Sequence, residues 1–243
     1  MKSIESSFSE LVITDTRKQQ TQKNYDGIAE LYAADFENDN RGFDSLINPL
    51  VLNLDENNLE NAVVDLGTGP GNVVDYLLKL GIKNKIIGVD FTKKFCDNSI
   101  IKYSNKPQVN IIFDDFVDYV SKQPNDSISG YISSYSIIHI PDEEINGLFE
   151  NIERSLQKNG MAAFLVYEGT QKGMEEEPYQ KEKDSRLKTT EKLESYSNCF
   201  EIEELKERLT KVGLKVVKIN NPKIDFIPGE YSQPRISVLA QKN

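Results

Sequence analysis

The chain has 243 residues, and its 39 aspartate and glutamate residues outnumber its 29 lysine and arginine residues, giving a formal net charge of −10 at pH 7. This acidic balance argues against broad docking on nucleic acid or on an anionic membrane, because both need a cationic surface. The single histidine and the two cysteines, which lie far apart in sequence, exclude the usual structural zinc site and disfavour a disulfide framework.

The first 61 residues predict a polar tail followed by a helical cap. Residues 1–23 are polar and are interpreted as a tail or a loosely attached first helix. Apolar residues recur at near-helical spacing over 24–38 and over 43–53, which predicts two helices. No apolar run resembles a secretory signal or approaches the ~20 residues that span a bilayer, so we expect a cytoplasmic protein without membrane contact.

From residue 62, short apolar runs alternate with amphipathic segments. The predicted strands are 62–66, 85–90, 109–115, 127–136 and 161–168, and the predicted helices are 71–80, 93–103 and 141–158. Thr92 is expected to cap the second of these helices through its hydroxyl, and Gly160 is expected to end the third. Alternation of this kind predicts a doubly wound parallel sheet with helices on both faces.

Residues 169–198 interrupt the alternation, with few aliphatic residues and many charges of both signs. Two interpretations stay open for this insertion: a lid that shapes a binding pocket, or a solvated surface loop. Its acidic run, 175–177, is expected to be solvated. A helix at 201–213 follows, and strands at 214–219 and 235–241 should form an antiparallel hairpin at the sheet edge.

These elements predict one α/β domain over residues 1–243. Its core, residues 62–243, is expected to be a Rossmann-like, seven-stranded, mostly parallel sheet with an antiparallel last strand. Residues 1–61 precede this core as the tail and helical cap.

The strongest functional signal is the sequence VVDLGTGPG at residues 63–71. A buried strand ends there, and the three glycines allow a tight turn and a close approach of the backbone to a ligand. The amides of this loop and the start of the next helix then form a polar cradle. Asp90 ends the next strand, where its carboxylate can accept hydrogen bonds from both hydroxyls of a ribose. Together these features predict a nucleoside-containing cofactor at the carboxyl ends of the strands.

The glycine spacing indicates the kind of cofactor. A dinucleotide-binding loop would place a third glycine or alanine at position 72, where this chain has Asn72. Asp65, two residues before the first glycine, would repel a pyrophosphate and attract an ammonium group. The cofactor is therefore expected to carry a ribose and a nearby positive charge, without a diphosphate.

The order and spacing of the motifs resemble those of the class I S-adenosylmethionine-dependent methyltransferases, in particular their small-molecule branch. The similarity extends over nearly the whole chain. The segments that carry it are YDGIAELYAADF (25–36), DLGTGPG (65–71), GVD (88–90), FDDF (113–116), ISSYSIIHIPDEE (132–144), LQKNGMAAFLVYE (156–168) and FEIEELKERLTKVGL (200–214). The resemblance implies S-adenosylmethionine as the cofactor and methyl transfer to a small-molecule acceptor as the reaction.

The resemblance also implies roles for residues around the glycine-rich loop. Gly67 and Gly69 should lie against the methionine moiety, with Thr68 between them in the cofactor site. Asp65 should orient the methionine amine. The backbone near Ser134 should contact the same end of the cofactor.

Further contacts are implied for the nucleoside end. Asp90 is expected to hold the ribose, with Phe91 packing on the adenine. Asp115 should lie near the exocyclic amine of the adenine, and Phe116 beside its ring. Two tyrosines of the N-terminal cap should close over the site, namely Tyr25 and Tyr32.

Two residues that follow the fourth strand are candidates for catalysis. His139 is a candidate general base, and the alternative is a histidine that only packs and hydrogen-bonds beneath the cofactor. Tyr135 is a second candidate. The residues at 133–135 lack the motifs typical of DNA methyltransferases and the aspartate of metal-dependent catechol-type enzymes. Neither a nucleobase acceptor nor a metal ion is therefore expected.

Other functions remain open at this point. An RNA or protein methyltransferase would need a cationic groove, and only scattered clusters such as Arg17-Lys18 and Lys93-Lys94 are present. A protein of the same fold that binds the cofactor without methylating would keep the same motifs, and a nicotinamide-dependent oxidoreductase is a third possibility. The expected partner is a small-molecule acceptor, and the chain is expected to act as a monomer or a homodimer.

Overall fold

The structure is a computed structural model that describes residues 11–36, 39–54, 59–221 and 234–243. The strands in these ranges are β1 (Ala62–Leu66), β2 (Ile86–Asp90), β3 (Val109–Phe113), β4 (Ile128–Ser134), β5 (Leu156–Tyr167), β6 (Lys172–Glu176), β7 (Glu194–Asn198), β8 (Leu214–Asn220) and β9 (Arg235–Lys242). Seven of them form one sheet in the order β3-β2-β1-β4-β5-β9-β8, and β6 pairs with β7 in a separate hairpin.

Helices cover both faces of the sheet. They are α1 (Thr16–Phe36), α2 (Phe43–Leu52), α3 (Asn72–Leu80), α4 (Lys93–Lys102), α5 (Phe116–Ser121), α6 (Asp142–Ser155), α7 (Pro178–Lys181) and α8 (Ile202–Lys211), with a 3₁₀ turn at Ile137–His139. Among the described residues, none of these helices is both long and apolar enough to cross a bilayer.

The strand pairing confirms the predicted seven-stranded, mostly parallel sheet. Strand β1 lies inside the sheet, parallel to its neighbours β2 and β4, and the pairs β2–β3 and β4–β5 are parallel too. The last strand, β9, runs antiparallel to both β5 and β8. Because β9 inserts between these two, the outermost strand of the predicted hairpin is β8.

The burial of strand β1 shows that the sheet is covered on both sides. All five residues of β1 are buried, as its continuous apolar run predicts for a parallel strand between two layers of helices. Val63 packs in a cluster with residues of α2 and α3, whereas Val64 and Leu66 pack in a second cluster with residues of α5, α6 and α8. The pleat thus directs successive side chains into opposite halves of the core.

Two predictions of how helices begin and end were wrong. The helix α6 ends at Ser155, and β5 begins at once with Leu156 pairing to Ile128, so Gly160 lies inside a strand. A register shift follows that first pair, and Asn159 takes the left-handed backbone (φ 64°) there. Thr92 stands at the start of α4 but makes no capping hydrogen bond through its side chain.

The N-terminal helix and one short helix also differ from expectation. Helix α1 begins at Thr16, so residues 16–23 agree with the interpretation as a first helix, but they continue without a break into the helix predicted from residue 24. The third strand stops at Phe113, and α5 follows with Asp115 as its N-cap; the Asp115 carboxylate accepts a hydrogen bond from the Val117 amide. The interpretation of residues 169–198 as a solvated loop does not hold for the part described as β7, in which Tyr196, Ser197 and Asn198 are buried.

Candidate functional site

The site lies at the carboxyl ends of β1, β2 and β4, which share one edge because the strands are parallel. Open α/β sheets bind ligands at this edge. A cavity of about 60 Å³ opens there. Its lining residues are Tyr25, Tyr32, Gly67, Gly69, Asp90, Phe91, Thr92, Phe95, Phe116, Ser134, Tyr135, Ser136 and His139.

The glycine loop needs its glycines for two different reasons. Gly67 has φ +72° and a Cβ there would lie 2.3 Å from the Cβ of Ser136, so neither the backbone nor the space admits a side chain. Gly69 has φ +51°, and a Cβ there would meet nothing within 4 Å. The first glycine therefore permits close packing beneath the loop, and the second faces open space beside the cavity.

The Asp90 carboxylate connects the second strand to this loop. One oxygen, Oδ2, accepts a hydrogen bond from the Gly69 amide at 2.8 Å, and Oδ1 accepts one from the Thr92 amide at 2.7 Å. Asp90 is 7 % exposed, and burial raises its pKa while the two amides act in the opposite direction. Each oxygen keeps a further lone pair for a ligand hydroxyl.

Asp65 lies behind the glycine loop rather than in the cavity wall. Its Oδ2 accepts a hydrogen bond from the Thr68 hydroxyl at 2.8 Å, and its Oδ1 is buried with no hydrogen-bond partner among the described residues. Burial raises the pKa of Asp65 to about 7, with the nearby Asp90 charge acting in the same direction and Thr68 against it. A buried, unsatisfied carboxylate oxygen of this kind is suited to a cationic or hydrogen-bond-donating group.

Asp115 does not line the cavity, although its neighbour Phe116 does. Its Oδ1 accepts the Val117 amide at 2.8 Å, and its Oδ2 accepts a hydrogen bond from Lys18 Nζ at 2.8 Å. Lys18 also reaches Glu144 Oε2 at 2.5 Å and is 4 % exposed. A lysine of α1 is therefore buried beside the segment expected to contact the adenine.

The cap meets the 3₁₀ turn through Tyr25 and His139. The His139 Nδ1 lies 2.6 Å from the carbonyl oxygen of Tyr196, and Nε2 lies 2.8 Å from the Tyr25 hydroxyl oxygen. Because a carbonyl oxygen only accepts, Nδ1 must carry the proton, and Nε2 then accepts from the Tyr25 hydroxyl. Burial lowers the pKa of His139 to about 4, so the ring is neutral near pH 7.

Tyr135 stands at the end of β4 in an unusual backbone conformation. Its φ of 56° is left-handed, a strained state for a bulky residue that is often found at functional sites. Its ring stacks on Tyr167 with centroids 5.1 Å apart, and the Arg235 guanidinium lies 5.0 Å from the Tyr135 centroid. Burial raises the pKa of Tyr135, and Arg235 acts in the opposite direction.

The fold thus brings ten of the thirteen sequence-predicted site residues to one cavity, the exceptions being Asp65, Thr68 and Asp115. Sequence reasoning missed three residues that also line it: Phe95, Ser136 and Thr92, which was predicted only as a helix cap. Phe95 could have been found from its position one turn into the helix after Asp90. Among the described residues, no group of three histidine, cysteine, aspartate or glutamate side chains could hold a metal ion.

The β6–β7 insertion packs against α1 rather than standing in solvent. Asn24 donates a hydrogen bond to Glu177 Oε2 at 2.5 Å, and the Tyr196 amide donates one to the Thr21 hydroxyl at 2.9 Å. Glu177 is 4 % exposed, so the expectation that the whole acidic run is solvated was wrong for this residue. Burial raises its pKa, and the hydrogen bond from Asn24 opposes the rise.

Part of the sequence matches a known family. Residues 63–160 match a family described as a methyltransferase domain. An uncharacterized methyltransferase of Oceanobacillus iheyensis is 29 % identical over 108 residues. That match covers 44 % of this chain and 47 % of the relative, so the chain spans about half the length of the curated relative that it matches.

Solved structures of low sequence identity share the fold. Phosphoethanolamine N-methyltransferase 2 of Haemonchus contortus, in complex with S-adenosyl-L-methionine, superposes with a TM-score of 0.67 at 15 % identity, over 95 % of this chain and 60 % of that one. Geranyl diphosphate C-methyltransferase of Streptomyces coelicolor superposes with a TM-score of 0.58 at 12 % identity, over 81 % of this chain and 74 % of that one.

Proposed function

We propose that the chain is a class I S-adenosylmethionine-dependent methyltransferase and that it transfers the methyl group of S-adenosylmethionine to a small-molecule acceptor. The observation that carries this proposal is the meeting of three features in one cavity. These are the glycine loop, the Asp90 carboxylate, and the aromatic cap with His139 beneath it.

The residues present fit this cofactor at two points. The free lone pairs of Asp90 suit the two ribose hydroxyls, because both of its oxygens are already oriented by backbone amides. Asp65 lies behind the loop, so its unsatisfied Oδ1 would act on the methionine ammonium through its charge, and the positive charge of the ammonium favours the ionised carboxylate. Between these points, Gly67 and Gly69 leave the loop backbone accessible to the methionine moiety.

When bound, the cofactor supplies a methyl group on a sulfonium, which is an electrophile that needs little further activation. The protein's contribution is then alignment and the exclusion of water. Tyr25, Tyr32 and Phe95 form a group of edge-on and tilted rings over the site, with centroids 5.6 to 6.3 Å apart. These rings exclude water from the end of the cavity where the acceptor nucleophile would stand.

We propose that His139 takes up the proton that the acceptor nucleophile loses. The Tyr25 hydroxyl gives its proton to Nε2 while it receives the proton of the acceptor nucleophile, so that the imidazole ends as imidazolium and Tyr25 is unchanged. Burial lowers the pKa of His139 and so makes it a weaker base. The transfer therefore suits a nucleophile whose proton becomes acidic as its bond to the methyl group forms. The raised pKa of Tyr135 keeps that phenol neutral, which suits it to orient an acceptor rather than to act as a base.

A small acceptor is supported by the enclosure of the site and by its charges. Helix α1 and the β6–β7 insertion cover His139, so a long polymer would have to displace both. The Arg17-Lys18 cluster offers little cationic surface, because Lys18 is buried and Arg17 pairs with Asp15 at 2.7 Å and Glu143 at 2.5 Å. The two structural neighbours described above are named for small acceptors, phosphoethanolamine and geranyl diphosphate.

A turnover assay tests this function. The protein is incubated with methyl-labelled S-adenosylmethionine and, separately, with pooled small amines, phenols, carboxylates and thiols, with total RNA, and with a protein mixture. We expect S-adenosylhomocysteine and a labelled small product only in the first group. Label in RNA or protein alone would contradict the proposed acceptor class. The single-domain organisation of residues 1–243, the cytoplasmic location and the monomeric or homodimeric state stay predictions from the sequence.

A further inference from the structure

Strand β7 uses the backbone groups of Tyr196 to contact two other elements. The Tyr196 amide donates to the Thr21 hydroxyl of α1 at 2.9 Å, and the Tyr196 carbonyl oxygen lies 2.6 Å from His139 Nδ1. In the described part of the chain β7 pairs only with β6, and alternate residues of such a strand direct their backbone groups away from the partner strand. Tyr196 therefore joins the β6–β7 insertion to the 3₁₀ turn that carries His139.

Asn198 makes a second contact between β7 and this turn. Its Nδ2 donates a hydrogen bond at 3.0 Å to the carbonyl oxygen of Ile140, the residue after His139. Asn198 is fully buried, and its Oδ1 has no hydrogen-bond partner among the described residues. A buried polar atom without a partner destabilises the fold, so stability alone does not account for an asparagine here. What this side chain provides is a fixed position of β7 against the turn.

Thr21 fixes the same part of β7 from α1. Its hydroxyl donates to the Arg17 carbonyl oxygen at 2.9 Å, so the hydroxyl oxygen is oriented to accept the hydrogen bond from the Tyr196 amide. Thr21 is fully buried. The backbone of Tyr196 is thus held through its own amide by α1, and two residues further on through Asn198 by the turn.

The position of the Tyr196 carbonyl decides which nitrogen of His139 can act as a base. A neutral imidazole carries one proton, and the hydrogen bond made by one ring nitrogen sets the state of the other. With the Nδ1 proton bound to this carbonyl, Nε2 keeps the lone pair that proton transfer through Tyr25 requires. If the carbonyl moves away, Nε2 can carry the proton instead. It then donates to the Tyr25 oxygen and has no lone pair to accept a proton.

We propose that strand β7 of the insertion selects the tautomer of His139 that can act as a base, and that Asn198 and Thr21 are the positioning residues that hold β7 in place. Neither side chain lines the cavity. Both act through the Tyr196 carbonyl. This inference rests on the proposed function, in which His139 takes up the proton of the acceptor nucleophile.

The tautomer can be measured directly, because the chain has a single histidine. Protein labelled with ¹⁵N-histidine and free of an affinity tag gives one resonance for each ring nitrogen of His139. A protonated and an unprotonated ring nitrogen differ widely in chemical shift, so the spectrum near pH 7 shows which nitrogen carries the proton. The measurement needs neither cofactor nor acceptor.

Thr21 has a matched control on another helix. Thr21→Val keeps the shape of the side chain and removes the hydroxyl that accepts from the Tyr196 amide. Thr210→Val makes the same change on α8, where the exposed Thr210 hydroxyl also donates to the carbonyl four residues earlier, that of Lys206, at 2.8 Å. The two variants therefore lose the same hydrogen bond within a helix, and only Thr21→Val also loses the contact with β7.

Asn198 has a matched control at the opposite end of the sheet. Asn198→Leu keeps a side chain of similar size and removes the donor to the Ile140 carbonyl. Asn53→Leu removes a comparable donor from an exposed asparagine, whose Nδ2 donates to the Asn159 carbonyl oxygen at 2.8 Å. Turnover of all four variants is measured with methyl-labelled S-adenosylmethionine and the pooled small amines, phenols, carboxylates and thiols.

We expect the unchanged protein to carry the proton on Nδ1. In Thr21→Val and Asn198→Leu the two nitrogen shifts should move towards each other, because the second tautomer becomes populated. Formation of labelled product should slow about tenfold or more, as for other groups that orient a functional histidine. The affinity for S-adenosylhomocysteine should change less than about threefold in calorimetry. Both control variants should give the spectrum and the turnover of the unchanged protein.

Three results would overturn the proposal. The first is an unchanged protein with the proton on Nε2. The second is a folded Thr21→Val or Asn198→Leu protein that keeps the proton on Nδ1, even if its thermal stability is lower, because the residue would then be merely structural. The third is a changed tautomer with undiminished turnover. Absence of turnover in the unchanged protein would instead contradict the proposed function, and the spectra would still decide whether β7 selects the tautomer.

Discussion

The two halves of the site are built in different ways. The glycine loop and Asp90 are held by backbone geometry, as in the hydrogen bond from the Gly69 amide to Asp90, which joins positions 21 apart in sequence. The cap is held by polar side chains, as in the contacts Tyr25–His139 and Asn24–Glu177, which join positions 114 and 153 apart. The first half is fixed when the sheet folds, whereas the second depends on side-chain contacts between segments that are distant in sequence.

This difference predicts that substitutions in the two halves have separate effects. A change in the glycine loop or at Asp90 should act on folding or on cofactor affinity. A change at the Tyr25–His139 contact should act on turnover and leave the cofactor affinity nearly as it was. The variants below test this separation, beginning with the largest expected effect.

The largest effect is expected at His139. His139→Ala removes the proton acceptor beneath the cap, and general acid–base groups contribute about 10² to 10⁴ in rate. We expect kcat to fall at least ~100-fold while the affinity for S-adenosylmethionine changes less than about threefold. Tyr32→Phe, a control on α1 that keeps its ring, should retain most of the activity. A His139→Ala enzyme that retains most of its turnover would reduce His139 to a packing residue.

Asp90 should govern cofactor affinity. In Asp90→Asn, the side-chain NH2 group faces two backbone amides that are themselves donors. The substitution also removes the negative charge that strengthens the hydrogen bonds from the ribose hydroxyls. Charged hydrogen bonds contribute about 1.5–3 kcal/mol each, so the affinity for S-adenosylmethionine should fall about 100-fold in a calorimetric titration. Asp97→Asn, at a partly exposed aspartate on α4, is the control and should bind as the unchanged protein does. Equal affinities for all three proteins would contradict the ribose role of Asp90.

Gly67 should matter for folding more than Gly69. Gly67→Ala places a Cβ 2.3 Å from that of Ser136 and forces alanine into a left-handed backbone. Overpacking and this strain should lower the free energy of unfolding by about 2 kcal/mol or more. Gly69→Ala carries only the backbone strain, so a loss of about 1 kcal/mol is expected in the same urea titration. Equal losses for the two variants would show that the close packing beneath the loop is not the cause.

The smallest effect is a dependence on pH through Asp65, whose pKa is raised to about 7 by burial. The methionine ammonium favours the ionised carboxylate, so affinity for S-adenosylmethionine should rise about tenfold from pH 6 to pH 8. A raised carboxyl pKa also means that the folded protein without ligand holds this proton more tightly than the unfolded chain. Its contribution to stability is therefore greatest at low pH and is lost as pH rises towards 7. Asp65→Asn should flatten the pH profiles of both affinity and stability. If the slopes of these profiles do not change, groups other than Asp65 cause the pH dependence.

The same contrast explains what the sequence could predict. The strand β1, the glycine loop and Asp90 follow from short-range patterns, because a buried apolar run and its adjoining glycines determine the local structure. The cap was harder, because the polar inward residues Lys18 and Asn24 carry no apolar periodicity and find their partners only in the folded chain. For the same reason Glu177 was interpreted as solvated although it is buried against α1. Gly160 was misassigned because a strand register, rather than a helix end, determines its position.

The central claim, that this sheet edge binds S-adenosylmethionine, is tested most directly by calorimetric titration of the unchanged protein with S-adenosylmethionine and, separately, with NAD. The glycine spacing, Asp65 and Asp90 predict saturable binding of one S-adenosylmethionine per chain and no binding of NAD. Binding of NAD without binding of S-adenosylmethionine would contradict the account.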